Sequence, residues 1–292
     1  MINEYLNPLW VSLLYVLLWM GFFYIYSPRK TVRPKFLLFA FVLGIGSALL
    51  ALAAEQTAFF YFDINTSFLS PFFFVRSFAD LWGPLIFSFL VAAVIEESAK
   101  FSFIKKYFDI TSINQIIDGM KMGLAMGLGF AFVENIIYFS DALYYSNLTT
   151  EEIATVFLLR GAFSTLAHGI YGIVMGYYLS LAKFNESLRR RLAWRALFAS
   201  ILIHGLFNFF LIINLGFYSV FMLVFLLIAA LLWYNDRKNL ELRIRGGDRT
   251  LVVPPFLAER LELEVWKSKH SSQADYLDRL WNILLEAEER KK

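Results

Sequence analysis

The chain has 292 residues, of which 59% are hydrophobic and 18% aromatic, and its formal net charge is +3. A soluble domain has too little interior for this much apolar surface, so the composition indicates a membrane protein. Cysteine is absent, which excludes disulfides, a thiol nucleophile and a thiolate metal site. Any metal would therefore need histidine and carboxylate ligands.

Seven hydrophobic stretches follow one another along the chain, and each is close to the roughly 20 residues that cross a bilayer as a helix. They predict an all-α, polytopic membrane helical bundle with about seven transmembrane helices. The predicted spans are residues 8–26, 36–54, 80–104, 116–140, 153–182, 196–213 and 216–234.

Basic residues predict the orientation of these spans, because cytoplasmic loops carry an excess of Lys and Arg. They cluster after spans one, three, five and seven, whereas the alternate loops hold almost none. We therefore expect an integral protein of the cell membrane with its N-terminus outside and its C-terminus in the cytoplasm. The basic clusters comprise Arg29, Lys30, Arg33 and Lys35; Lys105 and Lys106; Lys183, Arg189, Arg190, Arg191 and Arg195; and Arg237, Lys238, Arg243, Arg245 and Arg249.

The chain changes character near residue 240, where charged residues replace the apolar stretches. We assign residues 1–239 to a transmembrane domain and residues 240–292 to a cytoplasmic C-terminal tail. Apolar residues from Tyr276 to Leu285 recur at helical spacing, so the tail is predicted to be helical. Its helix could pack on the membrane surface or bind a partner.

Ionisable residues inside membrane spans are costly, so each one indicates a functional site. Glu96 and Glu97 are adjacent in span three, and Lys100 is within one helical turn of both. A buried ion pair would explain one glutamate and the lysine, but it would leave the second glutamate needing another partner.

Span four contains Glu134, and span five contains Arg160 and His168. Contact with Arg160 would be enough to satisfy Glu134 structurally. Glycines recur every four residues in span four, at 119, 123 and 127, and this spacing lets helices approach closely. Such an approach would bring Glu134 near its neighbours.

His204 and Asn208 are four residues apart and share one face of span six. Neutral imidazole can act as a base or a metal ligand, and an amide can donate to an oxyanion. The chain has neither a His-Glu-x-x-His zinc motif nor a Gly-x-Ser-x-Gly elbow nor a Gly-x-Gly-Asp aspartyl motif. The remaining chemistry is water activated by a carboxylate, with or without a metal.

These residues carry a resemblance to a known family. In order and spacing the chain resembles the PrsW intramembrane proteases, within the wider superfamily of CAAX prenyl proteases and Abi-type membrane proteases. The resemblance covers residues 90–210. The matching segments are Glu96-Glu97-x-x-Lys100, Asp118-Gly119, Gly127-x-Gly129-Phe130-Ala131-x-x-Glu134-Asn135, Arg160 with His168, and His204-Gly205-Leu206-x-Asn208.

The resemblance implies an intramembrane endopeptidase that cuts a membrane-anchored protein, which in this family includes anti-sigma factors. Its partners would be that substrate and the lipid bilayer, with no nucleic acid. The implied catalytic residues are Glu96, Glu97, Glu134, His168, His204 and Asn208, with Lys100 and Arg160 compensating charge. Whether the reaction uses a divalent metal such as Zn²⁺ stays open, because the wider superfamily often has histidine where this chain has Glu134. The ligands of such a metal would come from Glu97, Glu134, His168 and His204.

The working hypothesis is peptide hydrolysis in a wet cavity among spans three to six. Glu96 or Glu97 would be the general base, His168 and Glu134 would position the water or hold a metal, and His204 and Asn208 would stabilise the oxyanion. Two alternatives use the same residues differently. A proton-coupled transporter would use them as a relay, and a non-catalytic membrane scaffold would use them to join helices.

Overall fold

The structure is a computed structural model that describes residues 7–26, 32–62, 78–110, 116–145, 147–184, 188–213, 215–224 and 226–228. These residues are almost entirely helical, and no strand occurs among them. The predicted all-α helical bundle is therefore confirmed. The predicted tail, residues 240–292, lies outside the described residues.

Eight α-helices are named here in chain order. They are α1 (Pro8–Tyr26), α2 (Pro34–Phe62), α3 (Trp82–Ile86), α4 (Val94–Ile110), α5 (Ile116–Ser140), α6 (Thr150–Leu158), α7 (Thr165–Phe184) and α8 (Arg189–Ile212). A further helical segment covers residues 216–224.

Several of these helices begin at residues suited to the first turn. α1 and α2 start at proline, whose fixed φ suits this position and whose missing N–H would have no helical partner there. α6 starts with a capping box, in which Thr149 and Glu152 each accept a backbone N–H of the other.

Wide π-helical turns interrupt the bundle at three places. Phe87–Ala93 joins α3 to α4, Leu159–Ser164 joins α6 to α7, and Asp141–Tyr145 extends α5. Each joined pair is one continuous rod, so α3 and α4 together cross the bundle once, as do α6 and α7. Such turns are frequent at functional sites.

Glycines allow a very close contact between α5 and α7. A Cβ built on Gly123 would overlap the Gly172 carbonyl oxygen, and one built on Gly127 would overlap that of His168. Gly119 faces Gly176 in the same way. The predicted close approach of span four is confirmed, and it places the backbone of His168 directly against α5.

Within the described residues the predicted spans coincide with helices, but several helices are longer than predicted; residues 229–234 of span seven lie outside that part of the chain. Within the described residues, five helical stretches are long and apolar enough to cross a membrane, and two shorter apolar helices, Pro8–Phe23 and Gly216–Ile228, match spans one and seven. α2 continues to Phe62 and α8 begins at Arg189. The mean hydropathy falls where charged residues begin, but the backbone hydrogen bonds of the helix continue through those residues. The helix is therefore longer than its apolar stretch.

The longer helices also bring the polar residues to similar depth. Glu96 lies slightly past the middle of the rod Ala79–Phe108. Glu134 lies slightly past the middle of the rod Ile116–Tyr145, which crosses the membrane in the opposite direction. In a helix the Cα–Cβ bond tilts toward the N-terminus. Because the two rods run in opposite directions, this tilt turns the two side chains toward each other.

Candidate active site

A cavity of about 640 Å³ opens among α2, the α3–α4 rod, α5, the α6–α7 rod and α8. Most of its wall is apolar, but polar and charged side chains converge on one part of it. Those lining residues are Glu55, Glu96, Glu134, Tyr138, Glu152, Arg160, His168, Tyr171, His204 and Asn208. A concave, mostly apolar pocket with a few convergent polar groups is the usual form of a substrate site.

Glu97 lies beneath this cavity and is completely enclosed. Its Oε1 accepts a hydrogen bond from Lys100 Nζ at 2.7 Å and lies 2.9 Å from His204 Nδ1. The other side of the His204 ring, Nε2, lies 3.0 Å from the amide nitrogen of Asn208. Glu97 therefore joins α4 to α8 and fixes how the His204 ring is presented.

Glu134 and His168 form a second carboxylate–imidazole pair, and this one faces the cavity. His168 Nε2 lies 2.7 Å from Glu134 Oε2, and the Arg160 guanidinium lies 2.9 Å from the same oxygen. The Glu134 side chain keeps 15% of its surface exposed. Arg160 also lies over the Tyr138 ring, 3.4 Å from its centre, so both the Glu134 carboxylate and the Tyr138 ring stabilise its charge.

Lys100 connects the two pairs. Its Nζ is 2.7 Å from Glu97 Oε1 and 2.9 Å from His168 Nδ1, and it lies 3.8 Å from the centre of the Phe130 ring. An ammonium group has only donors, so His168 Nδ1 must accept this hydrogen bond. His168 then carries its proton on Nε2, the ring nitrogen that lies 2.7 Å from Glu134 Oε2.

The same reasoning assigns His204. Glu97 is a carboxylate that receives a hydrogen bond from Lys100, so His204 Nδ1–H donates to it and Nε2 is left as an acceptor. Asn208 donates one amide hydrogen to that Nε2. A single hydrogen-bonded chain thus runs from Asn208 through His204, Glu97 and Lys100 to His168, whose ring lies against the ion pair of Glu134 and Arg160.

Glu96 occupies the space between the two pairs. Its Oε2 is 3.6 Å from Lys100 Nζ, and its Oε1 is 3.9 Å from His204 Nε2. Oε2 has no hydrogen-bond partner among the residues that the structure describes. Glu96 lines the cavity, whereas Glu97 does not, so the two adjacent glutamates have different surroundings.

The π-helical turn Leu159–Ser164 places Arg160 next to Glu134. Asn135, fully buried on α5, donates to the Thr165 hydroxyl at 2.7 Å, and this hydroxyl donates to the Arg160 carbonyl at 3.3 Å. The Arg160 carbonyl thus accepts from both the backbone N–H and the hydroxyl of Thr165. The side chains of Asn135 and Thr165 also tie this turn to the helix that carries Glu134.

Two sets of ligand atoms in this cluster could hold a metal ion. One comes from Glu96, Glu97 and His204, the other from Glu96, Glu134 and His168, and the atoms of each set lie within 4.8 Å of one another. Glu96 belongs to both sets, although the sequence-based metal proposal did not include it. Among the described residues, five carboxylates, those of Glu55, Glu96, Glu97, Glu134 and Glu152, lie in or against the cavity with two cationic side chains, Lys100 and Arg160. A divalent cation therefore suits both the donor types and the charge of the site.

All six residues predicted to be catalytic lie in this one cluster, and both charge-compensating residues contact it. Sequence reasoning missed Glu55 and Tyr171. Glu55 lies one residue beyond the predicted end of span two, so it was not counted as an intramembrane carboxylate. Tyr171 is one of 15 tyrosines and stands in no motif that would distinguish it.

Tyr171 packs between the two histidines. Its ring stacks on that of His204, with centres 4.8 Å apart, and meets the ring of His168 edge-on at 5.6 Å. The side chain is fully buried, and its hydroxyl has no hydrogen-bond partner within the described part of the chain. A buried hydroxyl of this kind is a donor available to a ligand.

Comparison with known proteins identifies the family. The sequence profile of the PrsW family intramembrane metalloproteases matches residues 33–233. A protein named Protease PrsW from Oceanobacillus iheyensis is 31% identical over 231 residues, which cover 78% of this chain and 92% of that protein. One of the same name from Clostridioides difficile is 33% identical over 158 residues, covering 53% of this chain and 62% of the relative.

A third relative, Protease PrsW from Bacillus subtilis, is 29% identical over 166 residues, 55% of this chain and 69% of its own length. No solved structure matches the chain. The matched region contains every helix that contributes to the cavity. The chain therefore belongs to the PrsW family and is an intramembrane protease.

Proposed function

We propose that this protease cleaves its substrate in the cavity described above, with Glu96 as the general base. The observation that carries the proposal is the contrast between adjacent glutamates. Each glutamate has one carboxylate oxygen without a hydrogen-bond partner among the described residues, but only Glu96 lines the cavity, whereas Glu97 is enclosed between Lys100 and His204. Glu97 is then a positioning residue.

Glu96 removes a proton from water as the water oxygen attacks the carbonyl carbon of the scissile peptide. A tetrahedral intermediate forms, and the carbonyl oxygen becomes an oxyanion. Glu96 next gives its proton to the peptide nitrogen, the carbon–nitrogen bond breaks, and a carboxylate and an amine are released. A positioned general base of this kind contributes roughly 10²–10⁴-fold to the rate.

The oxyanion needs hydrogen-bond donors that are already in place. The Asn208 amide has a second N–H besides the one directed to His204, and Asn208 lines the cavity. The Tyr171 hydroxyl is the other candidate, because it is buried next to His204 and its donor is uncommitted within the described residues. Each such donor typically contributes about 10²–10³-fold.

The family description implies a metal, and the donor set fits one. Glu96 would hold it together with Glu134 and His168, or together with Glu97 and His204. Bound there, a divalent cation would make a water molecule more acidic and stabilise negative charge on oxygen. In either set, Lys100 and Arg160 limit the mutual repulsion of the carboxylates.

Water and substrate would reach the site from the membrane face where α6 begins and α8 ends. The cavity wall includes Leu148, Glu152 and Thr155 at that face, together with Leu211 and Ile212 at the end of α8. The distribution of basic residues places this face outside the cell membrane. Cleavage would then occur near the middle of the membrane, at the level of Glu96, in a substrate that enters from the outer face.

The orientation can be tested directly because the natural chain has no cysteine. A membrane-impermeant maleimide should label Asn147→Cys in intact cells and should leave Arg190→Cys unlabelled until the membrane is opened. Both positions are exposed, so the two variants are matched. The reverse labelling pattern would contradict the proposed orientation.

The proposed substrate is a membrane-anchored protein with one span and an outer juxtamembrane segment, of which an anti-sigma factor is the candidate that the family resemblance supplies. The decisive experiment reconstitutes the full chain with membrane-tethered candidates and measures cleavage. Glu96→Gln should reduce turnover by about 10²–10⁴-fold. Glu151→Gln makes the same chemical change at an exposed carboxylate outside the cavity and should cleave normally.

Chelation and metal return complete the assay. Activity that disappears with chelator and returns with Zn²⁺ would favour the metal-assisted form of the reaction. Activity that persists would favour the carboxylate alone. Wild-type turnover by Glu96→Gln would refute the assignment of the base, and transport of a solute or ion without any cleavage would favour the transporter alternative.

A further inference from the structure

A second cavity, of about 570 Å³, lies at the opposite end of the bundle from the mouth of the active site. It is formed where α4 and α7 end and α8 begins. Its charged lining residues are all basic: Lys105, Lys183, Arg189 and Arg190. None of the ten described residues that line it is acidic.

The rest of the lining is apolar. Phe101, Phe108, Leu179, Ala182 and Ala193 form the floor, and Trp194 lies at the edge. Trp194 is about half-exposed and stacks on Phe198, with ring centres 5.6 Å apart. Tryptophan is enriched at the interface between membrane and water, so this cavity is at headgroup depth.

The basic side chains are held above the floor in a defined arrangement. Lys183 donates to the Phe108 carbonyl at 2.7 Å, which joins the ends of α7 and α4. Lys105 lies over the Phe101 ring at 5.4 Å. Arg190 is exposed in the first turn of α8. A phosphate at this opening would lie close to Lys105 and Arg190, and both charges would attract it.

We propose that this cavity binds the phosphate headgroup of an anionic phospholipid, with an acyl chain against its aromatic floor. A basic opening above an apolar floor matches an amphiphile with a negative head, whereas a free phosphate would gain nothing from Phe101 or Leu179. Basic pockets between transmembrane helices at the cytoplasmic face bind such headgroups. The site joins the three helices that carry Glu96, His168 and His204.

The experiment uses the full chain in neutral detergent with three probes: short-chain phosphatidylglycerol, short-chain phosphatidylcholine and inorganic phosphate. Phosphatidylglycerol should raise the thermal unfolding midpoint by about 5 °C at saturation. Phosphatidylcholine and inorganic phosphate should leave it nearly unchanged. Native mass spectrometry should find one phosphatidylglycerol retained per chain.

The double variant Lys105→Gln/Arg190→Gln should bind phosphatidylglycerol more than ten-fold more weakly, since each basic contact near a membrane surface contributes about five-fold. Arg195→Gln is the matched control, because Arg195 is exposed on the same helix but does not line the cavity. Mass spectrometry reports retention of the lipid even if the double variant is less stable.

Three outcomes would overturn the proposal. Equal stabilisation by phosphatidylcholine would show that the headgroup charge is not recognised. Equal stabilisation by inorganic phosphate would assign the cavity to a soluble anion. A loss of affinity in Arg195→Gln as large as in the double variant would reduce the effect to general surface charge.

Discussion

The two carboxylate–imidazole pairs in this protein have the same chemistry in opposite surroundings. Glu97 is closed off beneath the cavity, so that only His204 of this pair reaches the cavity wall, and their cation is Lys100, which is equally buried. Glu134 and His168 face the cavity, and their cation is Arg160, whose side chain is 21% exposed. Residue type alone would therefore assign the two pairs the same role.

Burial distinguishes their roles. A charge enclosed in protein is stable only while its partner is present, so the Glu97 pair is suited to fixing geometry. A pair that meets water can exchange protons or a ligand without disturbing the packing. We therefore propose that the enclosed pair fixes geometry and that the pair at the cavity takes part in the reaction, with Glu96 placed between them.

The largest expected effect comes from removing each cation in turn. Lys100→Met would leave Glu97 enclosed without its cation and should lower the free energy of unfolding by about 3–5 kcal/mol. Arg160→Met should cost clearly less, because water can reach Glu134. Chemical denaturation of both variants in the same detergent measures the difference. Equal losses would remove the distinction between the pairs.

Tyr171→Phe examines the residue that contacts both histidines. Phenylalanine keeps the stacking on His204 and the edge contact with His168 but lacks the hydroxyl. If that hydroxyl donates to the oxyanion, kcat should fall about 100-fold with little change in KM or in unfolding temperature. A variant with normal kcat would limit Tyr171 to packing.

Gly123→Ala should disturb one pair more than the other. The added Cβ would meet the Gly172 carbonyl oxygen and force α5 away from α7, which carry Glu134 and His168. Overpacking of this kind costs about 1–3 kcal/mol of stability. Gly21→Ala is the control, since nothing lies within 4 Å of its new methyl group. The thermal unfolding midpoint of Gly123→Ala should therefore lie below that of Gly21→Ala. Equal midpoints would contradict the close contact between α5 and α7.

Glu55→Gln should have the smallest effect. Glu55 lines the cavity but belongs to neither pair. Removing its charge therefore changes the electrostatic potential in the cavity without breaking the hydrogen-bonded chain. We expect a change in kcat/KM of about five-fold, equivalent to about 1 kcal/mol. A loss as large as that expected for Glu96→Gln would place Glu55 in the catalytic machinery.

Much of this architecture could be predicted from the sequence. Hydropathy located the helices, since apolar stretches of this length have few alternatives in a membrane, and the glycines at 119, 123 and 127 predicted the close α5–α7 contact. Helix ends were less accessible, because charged residues such as Arg189 continue a helix after the apolar pattern stops. For this reason Glu55 was not counted among the intramembrane carboxylates.

The residues that form the polar cluster could also be predicted from the sequence, but their arrangement within the cluster could not. Glu96 and Glu97 are neighbours in the chain, and which one faces the cavity depends on how α4 is rotated in the bundle. That rotation is set by contacts with α2 and α8 and by the π-helical turn before α4, none of which has a sequence signature. Tyr171 was missed for a related reason, because only the tertiary fold places its ring beside His204.

The wide turn Leu159–Ser164 makes the rod that carries Arg160 and His168 sensitive to chain length. Such a turn holds one residue more than a regular helical turn. Deleting a single residue there would restore a regular helix, keep the preceding helix in register with His168, and redirect the side chains inside the turn, including Arg160. Arg160 would then leave Glu134, although the composition of the rod would hardly change. Homologous chains that differ by one residue in this turn should therefore differ in how that carboxylate is neutralised.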